Sequence, residues 1–334
     1  MPMDFELNPD QQAIQRTARD LLAGRAAPDR VREHAEAGRT DEALWRELCE
    51  LGWPGIAVAE EHGGQGLGLV ELCVLAEELG RVVAPVPFLG SALAALAIQH
   101  GGDPAVQERW LPGLASGELR GALGRPGVLV PDADGADVLV LAGPRGARAV
   151  AGAEAQVTPV AAIDPTRRHA RIDAPQDAGD RLDPQLVMTA GVVVAAELVG
   201  VCDRALGMTL DYVKERKQFG TPVGAFQAVQ HKVAQMLLDT ERARATTAFA
   251  AWAADAGDER AAEAAAMAAA TAADAGLDVC NSAVQAHGGI GFTWEADVHW
   301  LLKRAHLDTA LLGGGAAPRS WIAQHLAAGR TTAV

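Results

Sequence analysis

The sequence predicts a mainly α-helical protein with a small β segment in its middle, and three observations carry that prediction. No proline lies between Pro222 and Pro318, whereas seven of the 17 prolines fall between Arg125 and Pro184. Apolar residues recur at helical spacing on both sides of that window and alternate in short runs within it. Hydrophobic residues make up 49% of the chain and charged residues 22%, a balance that suits packed cores in water. At 334 residues the chain is long enough for two or three such units. The expected division is a helical region over 1–122, a shortened β region over 123–185 and a helical bundle over 186–334.

Taken in order, Asn8 followed by Pro9 and Gln11 reads as a helix start, with a side-chain cap, a preset φ and a capping partner. Ile14, Ala18 and Leu21 or Leu22 then recur at helical spacing. A glycine-punctuated loop spans Gly52–Gly68, and further helices are expected through Leu72–Leu79 and Leu93–His100. The texture changes after Arg125, where GVLVP, DVLVLAG, QVTPV and HARIDA read as short strands. Beyond Leu186, Leu198, Cys202, Leu206, Leu210 and Val213 form one apolar stripe, and Phe226, Val229, Val233 and Met236 another. The alanine-dense run Arg242–Ala275 reads as a bundle helix, because alanine favours helix and lets helices approach closely.

Charge and composition exclude several functions. The formal net charge is −14, which argues against nucleic acid or an anionic membrane as partner while leaving room for a local basic site. Cys49, Cys73, Cys202 and Cys280 are scattered without CxxC or histidine spacing, so no metal site is expected and the thiols read as buried in a reducing cytoplasm. The opening MPMDFELNPD lacks a basic run and an apolar core, so no secretory leader is expected. The apolar stretch Leu186–Cys202 is interrupted by Glu197 and is short for a bilayer. A cytoplasmic protein is expected.

Three motifs could carry chemistry. EEHGGQGLG (Glu60–Gly68) reads by itself as an interhelical loop. In YVKERKQFGTPVGAFQAVQHKVAQM (Tyr212–Met236), a helix bearing Arg216 runs into a turn at Phe219-Gly220. A charged αα-hairpin would explain it; so would a guanidinium placed to hold a pyrophosphate by paired hydrogen bonds, with Gln218, Phe219 and Gln227 adding amides and a flat apolar face. In VQAHGGIGFTWEADVHWLLKRA (Val284–Ala305), glycines at 288, 289 and 291 break a helix and permit close backbone approach to a ligand. His287 reads by itself as a packing or capping histidine.

In this order and spacing, EEHGGQGLG, ERKQFG…FQAVQ and QAHGGIGF closely resemble the acyl-CoA dehydrogenase family, over roughly residues 5–122 and 186–330. The resemblance implies an N-terminal helical domain, a middle β-domain and a C-terminal four-helix bundle that drives tetramerisation. It also implies FAD and α,β-dehydrogenation of an acyl-CoA thioester, with electrons passed on to an electron-transfer flavoprotein or a similar acceptor. A carboxylate removes the α-proton while the β-hydrogen leaves as hydride to the flavin.

The sequence departs from that pattern where the catalyst belongs. The family's usual glutamate, followed by Gly-Thr, falls without gaps on Leu312, and the Gly-Thr on Gly313-Gly314. The alternative glutamate early in the first C-terminal helix falls on Ala190. After SGELRGAL, the family's Thr-Glu-Pro…Gly-Ser-Asp flavin motif and the tryptophan strand beyond it are replaced by RPGVLVPDADGAD. What would act on the chain's own flavin is missing. The positions that reach a neighbour's FAD in the family are kept as Arg216, Phe219, Gln227, Gln285 and Gly288-Gly289, with Gln218 beside them.

The resemblance therefore implies a non-catalytic subunit that completes the FAD site of a catalytic acyl-CoA dehydrogenase paralogue in an α2β2 assembly. Heteromers of this kind act in actinobacterial sterol side-chain degradation, which makes a steroid side-chain CoA ester the candidate substrate by analogy. Two alternatives stand beside it. One is a self-sufficient flavoenzyme with oxygenase-type chemistry or a relocated base, for which Asp308 is the nearest acid. The other is a scaffold that has abandoned FAD.

Overall fold

The computed structural model describes residues 6–143, 146–175, 177–183 and 187–331. Six α-helices come first among the described residues: α1 (Pro9–Arg25), α2 (Pro28–Glu36), α3 (Glu42–Glu50), α4 (Leu69–Arg81), α5 (Phe88–Gly101) and α6 (Pro104–Ser116). Their starts obey local chemistry. Proline occupies the first position of α1, α2 and α6, where its missing N–H costs nothing. Asp41 and Asp103 cap α3 and α6 by accepting from Leu44 and Val106 N–H.

Seven strands come next: β1 (Gly121–Gly124), β2 (Leu129–Pro131), β3 (Val138–Gly143), β4 (Gly146–Ala151), β5 (Gln156–Val160), β6 (His169–Asp173) and β7 (Asp180–Leu182). They form one sheet in the order β1-β3-β4-β7 and a second in the order β2-β6-β5. Every pair is antiparallel except β1 with β3. Val130, Leu139, Leu141, Val150, Ala170 and Ile172 form the core of this segment. The four runs expected to be strands are β2, β3, β5 and β6. The expected boundary at 185/186 lies outside the described residues.

The chain divides into two compact units. One contains Gln11–Leu75 and Ala84–Val193, so the strands share a unit with most of the first helices. Here α5 is apolar all round and buried from Phe88 to Ile98, as a helix covered on every side must be. It lies close against β1: a Cβ on Gly90 would sit 2.7 Å from the Gly121 carbonyl and 2.6 Å from Asp132 Cβ. Gly90 N–H donates to Asp132 (2.9 Å) and Gly121 N–H to Ser91 Oγ (3.1 Å). The Glu60–Gly68 loop is likewise explained by its own packing. Gln65, Gly66 and Leu67 N–H donate to Gly55, Val58 and Ile56 carbonyls, and a Cβ on Gly64 would collide with Val58 O.

The second unit is built on Ala76–Val83 and the chain from Val194 onward. It carries most of α7 (Val187–Glu215), a ribbon of β8 (Lys217–Gln218) and β9 (Thr221–Pro222), then α8 (Gln227–Asp255), α9 (Ala261–His287), α10 (Val298–Leu311) and α11 (Ala316–Thr331). Helix α9 packs against α8, α10 and α11, and its buried alanines from Ala264 to Ala275 let them come close. The end of α4 crosses α7 at two glycines: a Cβ on Gly200 would collide with Glu77 O, and one on Gly80 with Glu197 O. The ion pair of Glu197 on α7 with Arg304 on α10 (2.5 Å) is buried, with side-chain exposures of 4% and 1%.

Two expectations are corrected here. The alanine run does not form one helix; it divides between α8 and α9. Gly257, at φ 60°, ends α8 with Gly257 N–H bonded to Ala254 O and Asp258 N–H to Ala253 O. That is the Schellman pattern, in which a left-handed glycine satisfies the last carbonyls. The Phe226–Met236 stripe is not a continuous core face. Met236 is buried, but Val229 and Val233 are only partly covered and Phe226 is 41% exposed.

Candidate functional site

The retained motifs lie at one end of the second unit. Helix α7 ends at Glu215, and Arg216 caps it, with its N–H bonded to Tyr212 O at 2.8 Å. The chain reverses at once: Lys217 pairs with Pro222 and Gln218 with Thr221, leaving Phe219-Gly220 as the two-residue turn. Both have positive φ, 52° and 78°, the signature of a type I′ hairpin turn, which favours Asn-Gly. Phenylalanine is sterically disfavoured in that conformation, yet Phe219 is 93% exposed. Its ring meets Phe226 edge-on, with centroids 6.5 Å apart. The base of the ribbon is closed by Val223 N–H donating to Arg216 O (2.8 Å), and Gln227 opens α8 immediately after.

Gln285 lies in the last turn of α9, and Gly288 and Gly289 begin the 3-10 turn Gly288–Phe292. Gly288 adopts φ 64°, ψ −140°, a region open essentially to glycine alone. A Cβ on Gly291 would lie 2.6 Å from Val284 O. Gly289 has neither reason: its φ is not in the left-handed region and a Cβ there would meet nothing within 4 Å. The chain's own packing therefore leaves open space at that residue. His287 is 6% exposed and its Nδ1 lies 2.8 Å from Ala283 O. It is a packed histidine, as its sequence context predicts.

Arg216, Gln218, Phe219, Gln227, Gln285 and Gly289 are all exposed, with Gly288 half-buried. Arg216 makes no ion pair among the described residues. The fold connects the two motifs through a residue that sequence reasoning passed over. Tyr212, the single tyrosine of the chain, stacks on His287 with ring centroids 4.5 Å apart and planes 21° from parallel. Its signal was available: it precedes Arg216 by four residues, one helical turn.

The positions where a base would stand are different in kind. Ala190 is 5% and Leu312 9% exposed. Leu312 is the cap of α10, and the chain beyond it makes a second Schellman ending: Gly313 N–H bonds Ala310 O (3.0 Å) and Gly314 N–H bonds Thr309 O (2.8 Å). Gly313, Gly314 and Gly315 all have left-handed φ, 75°, 69° and 71°, three in succession before α11 begins at Ala316. The glycines terminate one helix and redirect the chain into the next. Asp308, one turn earlier, is 1% exposed, and Glu197 is committed to Arg304.

Cysteine chemistry is muted as well. Cys73, Cys202 and Cys280 are buried and Cys49 is half-buried, all as free thiols. Burial pushes Cys202 up to about 12 and Cys49 to about 11, so neither is a thiolate nucleophile near neutrality. No helix among the described residues is long and apolar enough to cross a membrane.

Comparison with known proteins agrees with this architecture. Residues 8–118 match the N-terminal domain of acyl-CoA dehydrogenases and residues 187–327 their C-terminal domain. The acyl-CoA dehydrogenase IpdE2 of Mycobacterium tuberculosis is 37% identical, covering 91% of this chain and 93% of its own length. Among solved structures, a variant of the Tcur3481-Tcur3483 steroid ACAD is 31% identical with a TM-score of 0.88, covering 96% of this chain and 99% of that one. The ChsE4-ChsE5 complex of Mycobacterium tuberculosis is 28% identical with a TM-score of 0.88, covering 97% of this chain and 99% of that one. The class is that of FAD-dependent oxidoreductases with two helical regions around a small β region. This chain belongs to the acyl-CoA dehydrogenase family.

Proposed function

We propose that this chain is a non-catalytic subunit of a heteromeric acyl-CoA dehydrogenase, completing an FAD site held by a catalytic paralogue in an α2β2 assembly. The observation that carries the proposal is the contrast in exposure. The residues that resemble in-trans FAD contacts point away from the chain's own core, led by Phe219 at 93% exposure in a strained turn. The two base positions hold Leu312 and Ala190. The similarity to the ChsE4-ChsE5 complex and to a two-component steroid ACAD supports a heteromer.

The donor set suits the outer part of a dinucleotide. Arg216 would offset pyrophosphate charge, the amides of Gln218, Gln227 and Gln285 would bond polar edges, and Phe219 would offer a flat apolar face. The open space at Gly289 and the backbone freedom of Gly288 would admit a ligand close to the main chain. FAD, when bound, supplies the hydride acceptor for α,β-dehydrogenation of an acyl-CoA thioester, and the partner's carboxylate removes the α-proton. This chain's share is to bind, orient and cover the cofactor. We extend the proposal to a steroid side-chain CoA ester as substrate, an electron-transfer flavoprotein as acceptor and a cytoplasmic location. We also retain the division at 122/123 and 185/186 as a functional one.

The burial of Asp308 within the second unit, at 1% exposure, weighs against the relocated-base alternative. The deciding experiment is expression with and without a paralogue that carries the glutamate and the full β-domain. Alone, this chain should purify colourless. Together they should give a yellow complex with fewer flavins than chains. A yellow homo-oligomer with one FAD per chain that oxidises an acyl-CoA by itself would overturn the proposal.

A further inference from the structure

Arg216 and the Gly288–Gly289 turn come from helix ends separated by some seventy residues of chain, yet to grip one cofactor they must keep a fixed spacing. Helix ends fray, because their last carbonyls lack intrahelical partners. A side chain that merely sits on such an end wanders with it. The end of α7 is held differently. Tyr212 lies flat on His287, with centroids 4.5 Å apart and planes inclined by 21°. His287 is itself fixed, since its Nδ1–H donates to Ala283 O at 2.8 Å within α9 and its side chain is 6% exposed.

The linkage can be traced atom by atom in both directions. From Tyr212, the backbone carbonyl accepts the Arg216 N–H at 2.8 Å, and the Arg216 carbonyl accepts the Val223 N–H at 2.8 Å, closing the ribbon that presents Phe219. From His287, the next residue is Gly288, which leaves the helix at φ 64°, ψ −140°. One ring pair thus stands between the two outward motifs, with a single peptide bond to one and one helical turn to the other.

We propose that Tyr212 and His287 are positioning residues: their stacked rings fix Arg216 and the Gly288–Gly289 turn as one rigid clamp for a flavin held by the partner subunit. The proposal rests on the in-trans reading given under Proposed function. The contribution of the two rings is preorganisation, so that the guanidinium and the glycine turn need not be ordered at the moment of binding.

The test uses the co-purified complex and reads FAD retained per complex after dialysis, FAD affinity on reconstitution, and the melting temperature of the complex. Tyr212→Leu keeps apolar volume but removes the flat face, whereas Tyr212→Phe keeps the stack. Arg216→Ala should weaken FAD binding by roughly tenfold to a hundredfold, as loss of a charge-assisted contact does. Tyr212→Leu should weaken it by about threefold to tenfold, the range of a stacked aromatic pair, and Tyr212→Phe by less than about twofold on the same scale. In the Arg216→Ala background, the effect of Tyr212→Leu should shrink, because the part of it that passes through Arg216 is already lost. His287→Leu should reproduce Tyr212→Leu.

A packing role alone would lower the melting temperature of the Tyr212→Leu complex and leave flavin affinity unchanged, and that result overturns the proposal. So does an effect of Tyr212→Leu that is undiminished in the Arg216→Ala background. If Arg216→Ala itself retains FAD like the unmodified complex, the in-trans reading fails and the clamp with it. If Arg216→Ala loses FAD while Tyr212→Leu does not, the clamp alone fails.

Discussion

The end of α7 and the end of α10 are both helix ends with glycine close behind, and they are used in opposite ways. At the end of α10, every unusual feature is accounted for within the chain. Leu312 is covered, Gly313 and Gly314 close a Schellman ending, and Gly315 continues the left-handed path into α11. At the end of α7, Phe219 occupies a strained conformation with its ring in water, and Arg216 carries a charge that no described carboxylate neutralises. Backbone strain persists only when something offsets it. For the α10 corner the compensation is helix termination; for the α7 ribbon no described contact within the chain supplies it, and the proposed partner would. A motif therefore says little until its features have been divided between those the chain explains and those it does not.

The largest test of this division lies in the bundle core. Arg304 and Glu197 belong wholly to the inward side, so Arg304→Ala should strip a buried carboxylate of its guanidinium and destabilise the chain by about 3–5 kcal/mol. Chemical denaturation of the complex would show it as a lower midpoint. Flavin bound per folded complex should not change. If the variant instead folds normally and loses FAD, the ion pair serves the cofactor site and the inward assignment is wrong.

A smaller effect is expected at the α10 corner. Leu312→Glu restores the residue type that a catalytic member of the family would have there. The site is 9% exposed and caps a helix whose carboxyl end already carries negative partial charge. An acid there should cost roughly 1–3 kcal/mol through desolvation and the dipole. It should give no turnover, since a base acts only when the α-carbon is held within hydrogen-bond reach. The assay pairs this variant with a partner whose own base has been removed, and monitors flavin bleaching by a panel of acyl-CoA thioesters. Substrate-dependent bleaching would mean that this chain owns a complete site, and the comparison of the two helix ends would collapse.

Much of this was legible in the sequence, for reasons that differ between regions. The strands β2, β3, β5 and β6 could be read because their apolar residues alternate between proline and glycine breaks. β1 (GALG) and β4 (GARAVA) were not, since alanine and glycine carry little strand signal and their pairing is settled by neighbours distant in sequence. The alanine run hid a helix break because the glycine that makes it, Gly257, sits among residues that mostly favour helix. The outward motif residues were singled out by their resemblance to the family's motifs, and no periodic pattern marks them. Tyr212 was legible only as a residue one helical turn before Arg216; its stacking depends on a ring from another helix, which no pattern within α7 reveals.

The smallest predicted effect separates the two uses of a helix end most sharply, because it has opposite signs in two measurements. In a type I′ turn, asparagine tolerates positive φ at the first central position whereas phenylalanine is strained there. If Phe219 were only a turn residue, Phe219→Asn would be an improvement without consequence. It should stabilise the ribbon by about 1 kcal/mol or less, visible as a slightly higher melting temperature of the chain. If the ring is held in water to meet a partner's cofactor, the same substitution removes a flat apolar face and should weaken FAD retention in the complex. Stability should therefore rise while flavin binding falls. A variant in which both rise would identify the strain as accidental. One in which both fall would show that Phe219 packs within its own chain, and that its exposure does not mark an interface.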